Sequence, residues 1–118
     1  EFKKQGYEKI GEWVNQKFPA GTVIGCVQTG AIGYFSDDKT VINLDGVVNK
    51  EAYDAIQRKE LMNYIKSKKI EYFIDWDINY EFVVRNSNGF RVTDLQMLEP
   101  AGDLKTWGYT WYVYKVKY

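Results

Sequence analysis

The sequence contains no histidine and one cysteine, and each scarcity removes a class of chemistry. Without histidine there is no Ser-His-Asp triad, and the commonest general base and zinc ligand is missing. Cys26 has no partner in the chain for a disulfide. One thiol and no imidazole make a poor donor set for a structural or catalytic transition metal, so neither metal nor cofactor is expected. Charge of a dominant sign is also missing, because 16 basic residues cancel 16 acidic ones. A neutral chain has no general electrostatic pull on nucleic acid or anionic lipid, so nucleic acid is not an expected partner. Long apolar runs are lacking too. None approaches the roughly 20 residues that a membrane-spanning helix needs.

Aromatic side chains, in contrast, are abundant at 17%, with 10 tyrosines and 4 tryptophans in 118 residues. They carry large buried area per residue and make a small core sufficient for one domain over residues 1–118. Tyr7, Ile10, Val14 and Phe18 follow helical spacing, which predicts an amphipathic helix over Tyr7–Phe18 stopped by Pro19 and Gly21. Thr22–Gln28 is short, β-branched and apolar on both faces, as a covered parallel strand should be. Thr29–Ser36 reads as a tight exit and a short helical turn, and Thr40–Leu44 as a second strand. Asn49 is placed to cap a helix starting at Lys50. Two apolar stripes, Ala52-Tyr53-Ile56 and Leu61-Tyr64-Ile65, predict two short helices or one kinked helix, with Lys66, Lys68 and Lys69 at its end. Tyr72–Trp76 is a third buried strand.

That order predicts an α/β fold with a mainly parallel sheet, a three-layer Rossmann-like sandwich with antiparallel C-terminal edge strands. In the last third, propensity favours a hairpin of Ile78–Arg85 and Phe90–Leu98 turned at Asn88-Gly89. A helix capped by Asp77 and closed by Gly89 is the alternative. Residues 100–103 read as a loop. Tyr109–Tyr118 alternates like a strand near an edge, with Lys115 and Lys117 on one face.

Candidate sites each have a bland counterpart. Gly25, Gly30 and Gly33 lie at a strand exit, but their spacing fits neither a dinucleotide fingerprint nor a P-loop, and packing explains them. Gln28, Thr29 and Asp45 fall at the carboxyl ends of the first two strands, where open α/β sheets bind ligands. Asp45-Gly46 also suits a turn. Asp75 and Asp77 share a face if the strand continues, as paired carboxylates for glycoside or cation chemistry, although a loop cap is the simpler role. Trp107, Tyr109, Trp111, Tyr112, Tyr114 and Tyr118 suit sugar stacking, a membrane interface, or a packed strand.

Several segments together resemble a known family. They are Ile10-Gly11-Glu12-Trp13-Val14, Val23-Ile24-Gly25, Thr29–Ser36, Val41–Asn49, Tyr64-Ile65 and Tyr72-Phe73-Ile74. The most specific are the GAIGYFS and NLDGVVN stretches within them. They resemble the C-terminal extracytoplasmic domain of bacterial polyprenyl-phosphate-sugar-dependent membrane glycosyltransferases, relatives of the dolichyl-phosphate-mannose protein mannosyltransferases. The resemblance covers residues 7–76. It implies a multi-helix membrane body, elsewhere in a longer chain, that carries the catalytic carboxylate, so no catalytic residue is assigned here. A chain that starts at Glu1 rather than methionine fits a processed or partial product. The expected role is a non-catalytic accessory domain outside the membrane, in the periplasm or at the cell exterior. Its partners would be that membrane body and a glycan or polyprenyl-linked sugar. Should a ligand bind, Gln28, Thr29, Asp45 and Asn49 are the candidate positions. A free-standing carbohydrate-binding or other small-ligand module is the alternative.

Overall fold

The structure is a computed structural model that describes residues 2–28, 38–106 and 109–118, with side chains described over 8–28, 38–98 and 110–118. Among these the chain runs α1 (Phe2–Lys17), β1 (Val23–Cys26), β2 (Thr40–Asn43), α2 (Lys50–Gln57), α3 (Leu61–Ser67), β3 (Tyr72–Trp76), α4 (Asp77–Arg85), a 3-10 turn (Val92–Asp94), β4 (Leu95–Thr106) and β5 (Tyr109–Val116). The strands form one sheet in the order β2-β1-β3-β5-β4. β1 pairs in parallel with β2 and β3, whereas β5 runs antiparallel to both β3 and β4. The fold is therefore mixed α/β, with a parallel half and an antiparallel half meeting at β3.

Side-chain alternation along the strands gives each face of the sheet its own apolar cluster. On one face Ile10 and Val14 of α1, with Phe18 just past its end, meet Ile24, Ile74, Trp111 and Val113. The expected α1 stripe is thus in the core from Ile10 onward, while the Tyr7 side chain lies outside the described residues. On the other face Leu61, Met62 and Ile65 of α3 and Val83 of α4 cover Phe73, Tyr114 and Val116. Gly25 is needed in the middle of β1 for packing. A Cβ there would stand 3.0 Å from Leu44 Cδ1 and 3.1 Å from Ile70 Cδ1. Those two side chains cross β1 through the space that the missing methyl leaves.

The seam between β1 and β3 is short. Only Ile24–Tyr72 and Gly25–Phe73 are in register, against five pairs, from Tyr72–Lys115 to Trp76–Trp111, between β3 and β5. Acidic side chains extend the seam beyond its strands. At one end the Val23 amide donates to Glu71 Oε2 at 3.0 Å and the Glu71 amide donates to the Val23 carbonyl at 2.9 Å. Asp75 does the same at the other end, as described below.

Helices α2 and α3 are separate, and each ends in the same motif. The Lys59 amide donates to the Ile56 carbonyl and the Glu60 amide to the Ala55 carbonyl. The Lys69 amide donates to Lys66 and the Ile70 amide to Ile65. These are Schellman closures, and Lys59 and Lys69, both at φ 59°, hold the left-handed position usually given to glycine.

Two expectations for the last third are corrected. Residues 77–85 form a helix, not the first strand of a hairpin. Tyr, Phe and Val favour strands locally, but as a helix they bring Val83 into the core and stack Tyr80 on Tyr114 at 4.9 Å. The Asn86 amide nitrogen donates to the Phe82 carbonyl and the Ser87 hydroxyl to the Val83 carbonyl, which seals the helix end. Residues 100–103 belong to β4, not to a loop, and the register shifts between Pro100 and Lys105. An outer strand tolerates proline, which has no N–H to donate, and a bulge absorbs the misfit. β5 is antiparallel and near the edge, as expected, with β4 outside it. Lys115 reaches over the Tyr72 ring at 5.2 Å.

Candidate functional site

The carboxyl ends of β1, β2 and β3 lie along one edge of the sheet. The chain leaves β1 toward β2 on one side, and leaves β3 toward β5 and β4 on the other. The crevice between β1 and β3 is thus the point where the strand order reverses, the usual ligand position in an open α/β sheet.

Asp75 occupies that crevice and is completely buried. One carboxylate oxygen accepts from the backbone amides of Val27 and Gln28, the latter at 2.9 Å. The other accepts from the Trp76 amide at 2.7 Å and from Asn79 Nδ2 at 2.6 Å. Burial pushes the Asp75 carboxyl above the usual carboxylate range, against these four hydrogen bonds, which stabilise the charged form. The carboxylate joins the exit of β1 to the start of α4. Asp77 lies one residue past the strand, exposed in the first turn of α4. The two acids therefore do not share a strand face as a paired-carboxylate site. The capping role is the one the geometry supports.

Cys26 is buried beside Asp75, and its thiol donates to the Gln28 carbonyl at 3.3 Å. Burial first, and then the neighbouring Asp75 charge, push the thiol well above its ordinary value. A thiol held protonated and inaccessible is not a nucleophile.

The β2 exit is built from polar side chains turned onto their own backbone. Asn43 Oδ1 accepts from the Asp45 amide at 3.2 Å, and Asp45 Oδ1 accepts from the Val47 amide at 2.8 Å. Gly46 takes φ 83° between them, where a Cβ would lie 3.0 Å from Tyr53 Cα. Asn49 caps α2 as expected, its Oδ1 accepting from the Ala52 amide at 3.2 Å. Asn49 Nδ2 donates to the Asn43 carbonyl at 2.8 Å and to the Tyr64 hydroxyl at 2.9 Å. This braced loop presents Val47 and Val48 to solvent.

The described candidate positions, Gln28, Asp45 and Asn49, thus fall on one edge but are already engaged. Gln28 is half-buried and tied to Asp75 through its amide. Asp45 and Asn49 share the β2 exit loop. Thr29, with Gly30 and Gly33, lies outside the described residues. Trp111 and Tyr114 are buried, and Tyr112 is half-buried. Tyr118 is exposed, with its hydroxyl donating to the Ile70 carbonyl at 2.6 Å. These side chains do not form an exposed stacking row. Trp107 and the Tyr109 side chain lie outside the described residues.

Two residues carried no recognisable sequence signal. Among the described residues Asn43 Nδ2 is buried without a hydrogen-bond partner, an exception to the rule that buried donors are satisfied. Asp94 is buried and accepts from the Arg91 amide at 2.9 Å and from Lys66 Nζ at 2.9 Å, which ties α3 to the 3-10 turn. Burial raises its pKa, but the Arg91 amide and the Lys66 ammonium outweigh burial and leave it below the ordinary value.

Among the described residues no His, Cys, Asp and Glu cluster is arranged to hold a metal ion. No described helix is long and apolar enough to cross a membrane. A family model described as "Domain of unknown function (DUF8728)" matches residues 1–114. No curated protein and no solved structure matches the chain.

Proposed function

The chain belongs to the family described as a domain of unknown function (DUF8728), and we propose that it acts as a non-catalytic accessory domain of a membrane glycosyltransferase. In this reading it is held outside the membrane by the rest of a longer chain and assists recognition of the acceptor or of a polyprenyl-linked sugar. The motif resemblance over residues 7–76 suggests the setting. The observation that carries the non-catalytic assignment is the use made of Asp75. Among the described residues, the one fully buried carboxylate at the strand-order reversal accepts hydrogen bonds from its own chain at both oxygens. A general base or nucleophile needs a lone pair directed at substrate. The finer reading of the fold, a three-layer Rossmann-like sandwich, is supported by the separate apolar clusters on the two sheet faces.

The test has two arms. The encoding gene should specify a multi-helix membrane region in the same polypeptide. The purified 118-residue chain should transfer no sugar from polyprenyl-phosphate donors to water or to glycan acceptors. Turnover by the isolated chain, abolished in Asp75→Asn while the fold persists, would overturn the assignment.

One observation favours the alternative, a free-standing carbohydrate-binding or other small-ligand module. The unpartnered Asn43 amide nitrogen lies at the carboxyl edge, where a ligand oxygen would satisfy it. That reading requires saturable glycan binding that weakens in Asn43→Ala. A flat titration excludes it.

A further inference from the structure

We propose that Asn88 is a site of spontaneous deamidation, in which the chain modifies itself at the turn that closes α4. This inference is independent of the functional reading above. Ser87–Phe90 form a β-turn, with the Phe90 amide donating to the Ser87 carbonyl at 3.1 Å. Gly89 has φ 74°, and Asn88 is not among the positive-φ residues, which defines a type II turn with glycine at its third position. Both residues are exposed, and the space where a Gly89 Cβ would lie is open to 4 Å. Among the described residues no hydrogen bond engages the Asn88 side chain or the Gly89 amide nitrogen. The electrophile and the nucleophile of ring closure are therefore adjacent, solvated and unheld.

The reaction needs only water and base. The Gly89 nitrogen attacks Asn88 Cγ and gives up its proton to solvent base, forming the N–Cγ bond. The Cγ–Nδ2 bond breaks, and Nδ2 leaves as ammonia with a proton from water. Water then opens the cyclic imide. Attack at Cγ leaves aspartate, and attack at the Asn88 main-chain carbonyl carbon leaves isoaspartate, with the backbone now running through Cβ and Cγ.

The structure also gives selectivity. Asp45-Gly46 has the same small follower, but Asp45 Oδ1 is held by the Val47 amide at 2.8 Å. The Asn86 amide is held by the Phe82 carbonyl at 2.8 Å, and Asn49 is held at both ends. The product bears on packing. The Asn88 amide donates to the Lys59 carbonyl at 2.8 Å, and Lys59 Nζ donates to Asn86 Oδ1 at 3.1 Å. A new carboxylate appears on the residue whose amide binds the Lys59 carbonyl. In isoaspartate an added backbone methylene stretches the link between the end of α4 and the α2–α3 junction.

The experiment ages the full 118-residue chain in mildly alkaline buffer at body temperature and maps its peptides by mass. A synthetic peptide spanning residues 85–92 serves as the reference for intrinsic chemistry. The expected result is a one-dalton gain at position 88, split between aspartate and isoaspartate, faster than at any other asparagine. It should be absent from that peptide in Asn88→Gln. Conversion of the free peptide with no conversion at position 88 of the folded chain would overturn the proposal, as would faster conversion at another asparagine.

Discussion

Replacing Asp75 by alanine removes the acceptor of three backbone amides, those of Val27, Gln28 and Trp76, and of the Asn79 side chain. A buried donor left without a partner costs about 1–3 kcal/mol. Trp76 is buried and bears the full cost, whereas Val27 and Gln28 are half-buried and recover part of theirs from water. Against this, the mutant no longer buries a carboxylate, and burial is the larger influence on this group. The balance predicts a loss of about 3–5 kcal/mol for Asp75→Ala, a large share of the 5–15 kcal/mol typical of a domain. Asp75→Asn retains one accepting oxygen but turns an N–H2 toward other donors, so it should lose about 1–3 kcal/mol. At this chain length each kcal/mol lowers the melting temperature by roughly 4 °C, so the alanine variant should melt about 12–20 °C early. Urea unfolding followed by circular dichroism and by tryptophan fluorescence measures both variants. The pH dependence follows from the raised pKa. The native state holds the Asp75 proton more tightly than the unfolded chain does. Stability from this group is therefore highest below the ordinary Asp value and declines as pH rises through the folded value. Asp75→Asn removes that slope. A melting point for Asp75→Ala within about 2 °C of the parent would mean that the relief of burying charge equals the bonds lost, and would refute the reasoning.

Asp94 has the opposite sign. Its folded pKa is depressed, so its contribution is complete above the ordinary Asp value and is lost as pH falls through the folded value. Acid titration of Asp94→Asn should show a shallower stability loss below about pH 4 than the parent, and parallel curves would contradict the pairing with Lys66. Asn49→Ala should cost about 2–3 kcal/mol, because a helix cap and two donor bonds disappear together, whereas Asn49→Asp keeps the cap and loses less. Chemical denaturation ranks the two. Lys69→Gly should stabilise by about 0.5–1 kcal/mol, since glycine enters the left-handed region without strain. A lowered unfolding midpoint would show that the lysine side chain is worth more than the strain it accepts.

The parallel half of the fold was legible because its signals are local. Ile10, Val14 and Phe18 have helical spacing, the first strand is apolar on both faces and two more short strands follow it, and Asn49 precedes an apolar stripe. In the antiparallel half the alternation of β5 was legible, but the rest was not, for reasons that lie in tertiary structure. Asp77–Arg85 is rich in strand formers, and its helix is selected by what Val83 and Tyr80 meet on the sheet. The ends of α2 and α3 carry lysine where a reader looks for glycine, so Schellman closure left no trace. Pro100 and Gly102 indicate a loop to any local rule, and only the position of β4 outside β5 makes a bulged strand possible. At the candidate site Gln28 and Asp45 follow the carboxyl ends of β1 and β2, as their place in the sequence indicated. What the sequence could not convey was where Asp75 directs its lone pairs, because the Val27 and Gln28 amides are more than 45 residues away along the chain. Asn43 carries no motif, and its unpaired amide follows only from the packing around it.

The two-pair seam between β1 and β3 has a mechanical consequence. It divides the sheet into a leaf of β2 and β1 and a leaf of β3, β5 and β4, with Glu71 and Asp75 as clasps at its two ends. Opening along this line breaks fewer backbone contacts than shearing β3 from β5. Under tension or partial denaturation the leaves should part here first, like a book with a narrow spine.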